Sequence, residues 1–62
     1  MIQVEDSNNE RYYINPNNVV YVKERVDPVK KERWWKILFV NGEQLHTKNA
    51  AGVQSIIYSM KK

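Results

Sequence analysis

The most constraining feature of the sequence is the dipeptide Asn41-Gly42, which separates two runs of β-branched and aromatic residues within residues 33–47. Asn-Gly between two such runs is a strong short-range signal for a β-hairpin. Gly42 can adopt the left-handed backbone conformation of a bulged turn, because it has no Cβ. The sequence therefore predicts a hairpin that carries the largest apolar side chains, including both tryptophans.

The length of the hairpin loop decides which side chains share a face. A three-residue loop over residues 40–42 pairs Ile37 with Leu45 and keeps the large apolar residues together. A two-residue loop would mix them with polar residues, because a shift by one residue turns every side chain to the other face. We therefore predict the three-residue loop, with Trp35 buried and its neighbour Trp34 on the opposite face.

Turn signals divide the first half of the chain into three further strands. Residues 2–5 and 11–14 have strand-like composition, and a three-residue loop that ends at Asn9 pairs Val4 with Tyr12. Asn9 is then the left-handed residue, which asparagine tolerates better than most residue types. The first two strands are thus expected to form a second hairpin.

A short 3₁₀ turn is predicted at Asn15-Pro16, because Asn15 suits the N-cap and Pro16 has its φ preset for a first helical position. The third strand follows at residues 19–26. Alternation along it assigns the even-numbered valines to the core: Val20, Val22 and Val26. Residues 27–32 then break the pattern with Pro28 and several charges, which predicts an exposed and mobile connection.

The last element is a short amphipathic helix. Its apolar stripe has the spacing i, i+3, i+4, i+7 and consists of Val53, Ile56, Ile57 and Met60. Thr47 or Asn49 can cap it, and Gly52 predicts a close approach to the sheet. The stripe should lie on Val20, Val22, Trp35, Ile37 and Leu45. Lys61 and Lys62 would complement the negative end of the helix dipole.

The predicted fold is α+β, with an antiparallel sheet of about five strands in the order β-β-β-β-β-α and one C-terminal helix packed on one face. Residues 1–62 form a single small domain without cysteine. A domain of this size buries only about 60% of its unfolded surface, so its stability alone is marginal. Such domains are commonly stabilised by forming homo-oligomers. No apolar run reaches the ~20 residues of a membrane span, and residues 1–6 do not have the pattern of a signal peptide. We expect a cytoplasmic protein of a bacterium or phage.

The chain resembles the small flagellar FlbD/SwrD family. The resemblance rests on residues 12–19 (Tyr-Tyr-Ile-Asn-Pro-Asn-Asn-Val), residues 37–43 (Ile-Leu-Phe-Val-Asn-Gly-Glu) and the short C-terminal helix. The sequence departs from the family's pattern at residues 27–33, where a longer charged segment replaces a compact turn. The resemblance implies a flagellar role.

The residue types argue against an enzyme. The chain has one histidine, no cysteine and no glycine-rich phosphate loop, and its serines have no evident base nearby. A metal site needs three or four convergent ligands, which a single histidine does not supply. We expect no catalytic residues, no metal site and no cofactor.

One face of the predicted sheet combines aromatic and basic side chains and is the candidate binding surface. Its residues are Tyr13, Tyr21, Lys23, Arg25, Trp34, Lys36, Leu38 and His46, with Arg11 beside them. Tyr, Trp and Arg are enriched in protein interfaces, so we expect an accessory protein that acts through a partner or through self-association. The alternative is a nucleic-acid-binding module that stacks bases on the rings. A third interpretation is a partly solvent-exposed face without a specific binding function, on which the aliphatic parts of the lysine side chains cover the rings. The net charge of +3 is modest for a nucleic-acid binder.

Overall fold

The computed structural model describes residues 1–60, which contain five antiparallel strands and one α-helix. The elements are β1 (Ile2–Glu5), β2 (Arg11–Ile14), a 3₁₀ turn (Pro16–Asn18), β3 (Val19–Val26), β4 (Arg33–Phe39), β5 (Gln44–Thr47) and α1 (Ala50–Met60). The strands hydrogen-bond in two sheets, β1-β2 and β3-β4-β5. The predicted α+β fold is confirmed. The expectation about Lys61 and Lys62 lies outside the described residues.

Both predicted hairpin registers are confirmed. Ile37 pairs with Leu45 across β4 and β5, and Val4 pairs with Tyr12 across β1 and β2. The residues that end the two loops have left-handed backbones, with φ of 88° at Gly42 and 64° at Asn9. Turn chemistry and apolar alternation agree at both hairpins, and this agreement is why the registers could be read from the sequence.

The predicted 3₁₀ turn is present, and β3 begins and ends where predicted, but two of its valines do not face the core. Val20 and Val26 are 51% and 59% exposed, so their assignment to the core was wrong. A bulge between Val19 and Tyr21 shifts the register of β3 against β4. The bulge inserts one residue and breaks simple alternation, and Val19 is buried instead.

The helix α1 begins after Asn49, whose side-chain oxygen accepts a hydrogen bond from the amide of Gly52 at 3.1 Å. Gly52 is needed for a close approach, as predicted. A Cβ at this position would lie 2.9 Å from Cγ2 of Val4 and 3.0 Å from the carbonyl oxygen of Gln3. The close approach is thus to β1, a contact that the expected packing on β3, β4 and β5 did not include.

The core forms where the two sheets and the helix meet. Its buried residues are Val4, Ile14, Val19, Trp35, Ile37, Leu45, Val53 and Ile56. The two sheets are tied at one corner, where the hydroxyl of Thr47 donates to the carbonyl oxygen of Glu5. Nearby, the amide of Ser7 donates to the carbonyl oxygen of His46 at 3.2 Å. No helix within residues 1–60 has the length and apolar character that crossing a membrane requires.

The connection between β3 and β4 is an exposed turn with its own hydrogen bonds. Oδ1 of Asp27 accepts from the amides of Val29 at 2.8 Å and Lys30 at 3.1 Å. The amide of Asp27 donates to the carbonyl oxygen of Glu32 at 2.9 Å. The Val29 side chain is 86% exposed and so does not dock into the core.

Candidate binding surface

Seven of the eight predicted site residues lie on one face of the three-stranded sheet, which we call the outer face. They are Tyr21, Lys23, Arg25, Trp34, Lys36, Leu38 and His46. Directly opposite residues of an antiparallel pair share a face. The register places Tyr21 opposite Leu38, Lys23 opposite Lys36 and Arg25 opposite Trp34, and Lys36 is also opposite His46. Gln44, opposite Leu38, completes the face and was not among the predicted site residues.

Tyr13 does not join the other seven residues. It lies on β2, in the two-stranded sheet, and it is 62% exposed. Arg11 lies on the same strand and is also exposed. The prediction of one continuous surface was wrong for Tyr13 and Arg11, because the hydrogen-bonding pattern divides the five strands between two sheets.

The residues that strand pairing places on the outer face include basic side chains and no carboxylate. Lys23 and Lys36 lie directly opposite each other, and like charges in such a pair are destabilising. The ion pairs found within residues 1–60 engage other side chains: Arg33 with Glu24 at 3.2 Å, and Lys48 with Glu32 at 3.0 Å. The three cations of the outer face, Lys23, Arg25 and Lys36, thus have no ion-pair partner in the described part of the chain.

The apolar members of the outer face are partly covered by their neighbours. Trp34 and Leu38 are half-buried within the single chain. The ring of Trp34 meets the ring of His46 edge-on, with centroids 5.2 Å apart and an interplanar angle of 76°. This contact occupies part of the aromatic surface that would otherwise be free for stacking.

Carboxylates border the outer face at the end next to Trp34. A shallow depression of about 310 Å³ is lined by Asp27, Glu32, Trp34 and His46, among others. The amides of Val29 and Lys30 hold the pKa of the Asp27 carboxyl below its ordinary value, and this carboxylate therefore stays ionised at neutral pH. The basic outer face thus has carboxylates beside it at one end, where Glu32 is paired with Lys48.

A groove of about 650 Å³ lies between β2 and β5, and the sequence analysis missed it. Ile14 and Leu45 are the buried residues of its lining, and Tyr12 and Tyr13 are exposed residues of it. The carboxylate of Asp6, followed by weaker effects, raises the pKa of the Tyr12 hydroxyl, so this tyrosine is neutral at physiological pH. No local sequence signal could have revealed the groove, because it forms between two hairpins that are distant in the chain.

Within residues 1–60, no group of three or more His, Cys, Asp or Glu side chains converges so that it could hold a metal ion. Comparison with known proteins found no matching family model, no matching curated protein and no matching solved structure.

Proposed function

We propose that this chain is a small, non-catalytic accessory protein of the cytoplasm that binds a partner protein through its outer face. The observation that carries the proposal is the concentration of Lys23, Arg25 and Lys36 on a face without carboxylates. Keeping Lys23 opposite Lys36 costs stability in the isolated chain, and an anionic partner would relieve that cost. The partner surface should therefore be acidic.

The charge pattern favours a different protein over a second copy at this face. Two copies that meet through their outer faces bring like charges together, and like-charge contacts act against association. Trp34 and Leu38 lie on either side of Lys36 along the middle strand β4, and they give an acidic partner two half-buried anchors. Tryptophan is among the residue types that supply most of the energy in typical interfaces. The resemblance to the flagellar FlbD/SwrD family remains a prediction that fits an accessory role.

Single-stranded nucleic acid is the second candidate, and one observation favours it. Tyr21 and Trp34 lie on the same face as the three cations, and rings beside cations are how several sheet domains hold bases and phosphates. The edge-on contact of His46 with Trp34 reduces the stacking surface, and for that reason an acidic protein surface ranks first.

Two probes of equal negative charge separate the candidates: a peptide that alternates Glu with Leu, and an oligothymidylate. Binding is followed by fluorescence anisotropy of the labelled probe at several salt concentrations. We expect the peptide to bind more tightly, and Lys36→Glu or Leu38→Glu to abolish its binding. Lys30→Glu, in the exposed turn, is the matched control and should change affinity little.

A tighter complex with oligothymidylate would replace the proposal by the second candidate. In that case log K should fall steeply with log salt, because each neutralised phosphate releases counterions. If neither probe binds, or if Leu38→Glu binds as well as the unaltered protein, the outer face is not the binding surface.

A further inference from the structure

The groove between β2 and β5 is bordered by two strand edges that have no ladder partner within residues 1–60. The edge of β5 is occupied at one point, where His46 accepts the hydrogen bond from Ser7. That bond comes from the turn between β1 and β2, and the groove itself is lined by β2 and β5. An unpaired strand edge offers N–H and C=O groups to another extended chain.

The hairpin registers identify which backbone groups face the groove. In antiparallel pairs, hydrogen-bonded and non-hydrogen-bonded positions alternate. Asp6 is bonded to Glu10 at the first turn, so Tyr13, opposite Gln3, occupies a non-bonded position. Its N–H and C=O therefore point away from β1.

Bonded and non-bonded positions alternate in β5 as well. Phe39 is bonded to Glu43 at the turn, so Gln44 and His46 occupy non-bonded positions and direct their backbone groups away from β4. The bond from Ser7 to His46 agrees with this alternation. Tyr13 and Gln44 thus present one N–H and one C=O each from opposite sides of the groove.

The free edge of β3 differs from these two edges. It carries Lys23, Glu24 and Arg25 in succession, and a bulge at Val20 distorts it. Edge charges and bulges are the devices by which proteins prevent unwanted strand pairing. The edge of β5, Gln44–Thr47, has neither.

We propose that the groove binds an extended segment of a partner protein, which adds as a strand between β2 and β5. Its backbone would bond to Tyr13 on one side and Gln44 on the other, in the manner of β-strand addition. Every second side chain of the segment would be apolar and would rest on Ile14, Leu45 and the half-buried Phe39. Glu43 is the charged residue of the lining, so the segment carries no acidic residue at that end.

This inference stands apart from the proposed function, because the outer face calls for an acidic partner and the groove does not. The probe is a phage-displayed library of random linear eight-residue peptides, selected on the unaltered protein. Enriched peptides should have apolar residues at alternate positions. The affinity of the synthesised peptides is then measured with two variants, Gln44→Pro and Gln44→Ala.

Gln44→Ala removes the side chain but keeps the backbone N–H, so peptide affinity should fall much less than it does for Gln44→Pro. Gln44→Pro removes the outward N–H, and affinity should fall about tenfold for one lost hydrogen bond. Because Gln44→Pro can fail to fold, amide exchange of the unaltered protein provides a second measurement. Bound peptide should slow exchange at Tyr13 and Gln44.

Failure to enrich any peptide overturns the proposal. So does equal binding by a folded Gln44→Pro variant. Peptides that slow exchange at Val22 and Glu24 instead would assign strand addition to the edge of β3.

Discussion

Trp34 and Trp35 are neighbours in the sequence and lie on opposite faces of β4. Trp35 is 6% exposed in the core, whereas Trp34 is half-buried on the outer face. Trp35→Ala should lower the free energy of unfolding by about 3–5 kcal/mol, because it leaves a large cavity. That loss is a large part of the total stability of a small domain. Urea unfolding followed by circular dichroism measures it.

Trp34→Ala is the matched control, since it removes the same side chain from the adjacent position. It should leave the monomer folded, with a much smaller loss. Similar losses for the two variants, at a concentration where the protein is monomeric, would contradict the assignment of faces.

Gly52 lies where the helix approaches β1. At this position, having no side chain stabilises the fold by allowing close packing, and this gain exceeds the cost of glycine's low helix propensity. Gly52→Ala should gain up to ~1 kcal/mol of helix propensity. It should also lose about 1–3 kcal/mol to overpacking against Val4 and Gln3, because the new Cβ would lie within 3.0 Å of both. We expect a net decrease in the free energy of unfolding, measured in urea.

A double-mutant cycle checks the cause of that decrease. The loss due to Gly52→Ala should shrink in a Val4→Ala background, where Cγ2 is absent. Gln54→Ala, at an exposed position of the same helix, should not lower stability. An increase in stability on Gly52→Ala would show that the helix can move away from β1 without cost.

The strand β3 hydrogen-bonds to β4 on one side only. Hydrogen exchange of its amides should therefore alternate between slow and fast along the strand. The bond between Asp27 and Glu32 sets the alternation, so Tyr21, Lys23 and Arg25 direct their amides towards β4. Their amides should exchange slowly, and those of the even-numbered residues between them should exchange quickly. Hydrogen exchange followed by NMR tests this. Slow exchange at every residue of β3 would mean that its free edge is paired.

The turn after β3 should make stability depend on pH through Asp27. Two backbone amides lower the pKa of this carboxyl below 3.8 in the folded state, so the ionised form stabilises the fold. That contribution is complete above the unfolded-state pKa and is lost as the pH falls through the folded-state pKa. Asp27→Asn should therefore be less stable than the unaltered protein at neutral pH, and the difference should disappear in strong acid. An NMR titration of the Asp27 carboxyl with a midpoint above 3.8 would contradict this.

Sequence reasoning succeeded for elements that local rules determine. Turn chemistry at Asn9 and Gly42 gave the hairpins, and the alternation of β4 gave the burial of Trp35. The helix start was narrowed to a cap at Thr47 or Asn49, and the structure has Asn49. Sequence reasoning failed at β3, because nothing in a run of valines marks which residue forms a bulge. The element order was thus readable, but the burial of Val19 in place of Val20 depends on packing against β4.

At the scale of the whole molecule, the arrangement of the two hairpins could not be predicted from the sequence. The separation into two sheets places Tyr13 away from the outer face and creates the groove between β2 and β5. Both results depend on contacts between distant parts of the chain, such as Ser7 with His46. Such contacts leave no periodic trace in the sequence.

The contact between Gly52 and Val4 joins the last described helix to the first strand, and it therefore orders events during biosynthesis. The segment that covers Val4 leaves the ribosome after all five strands. Until then β1 has only its hairpin partner, and two-stranded hairpins are marginally stable in water. A nascent chain stalled before Ala50 should thus lack the native core, and folding should follow release of the helix.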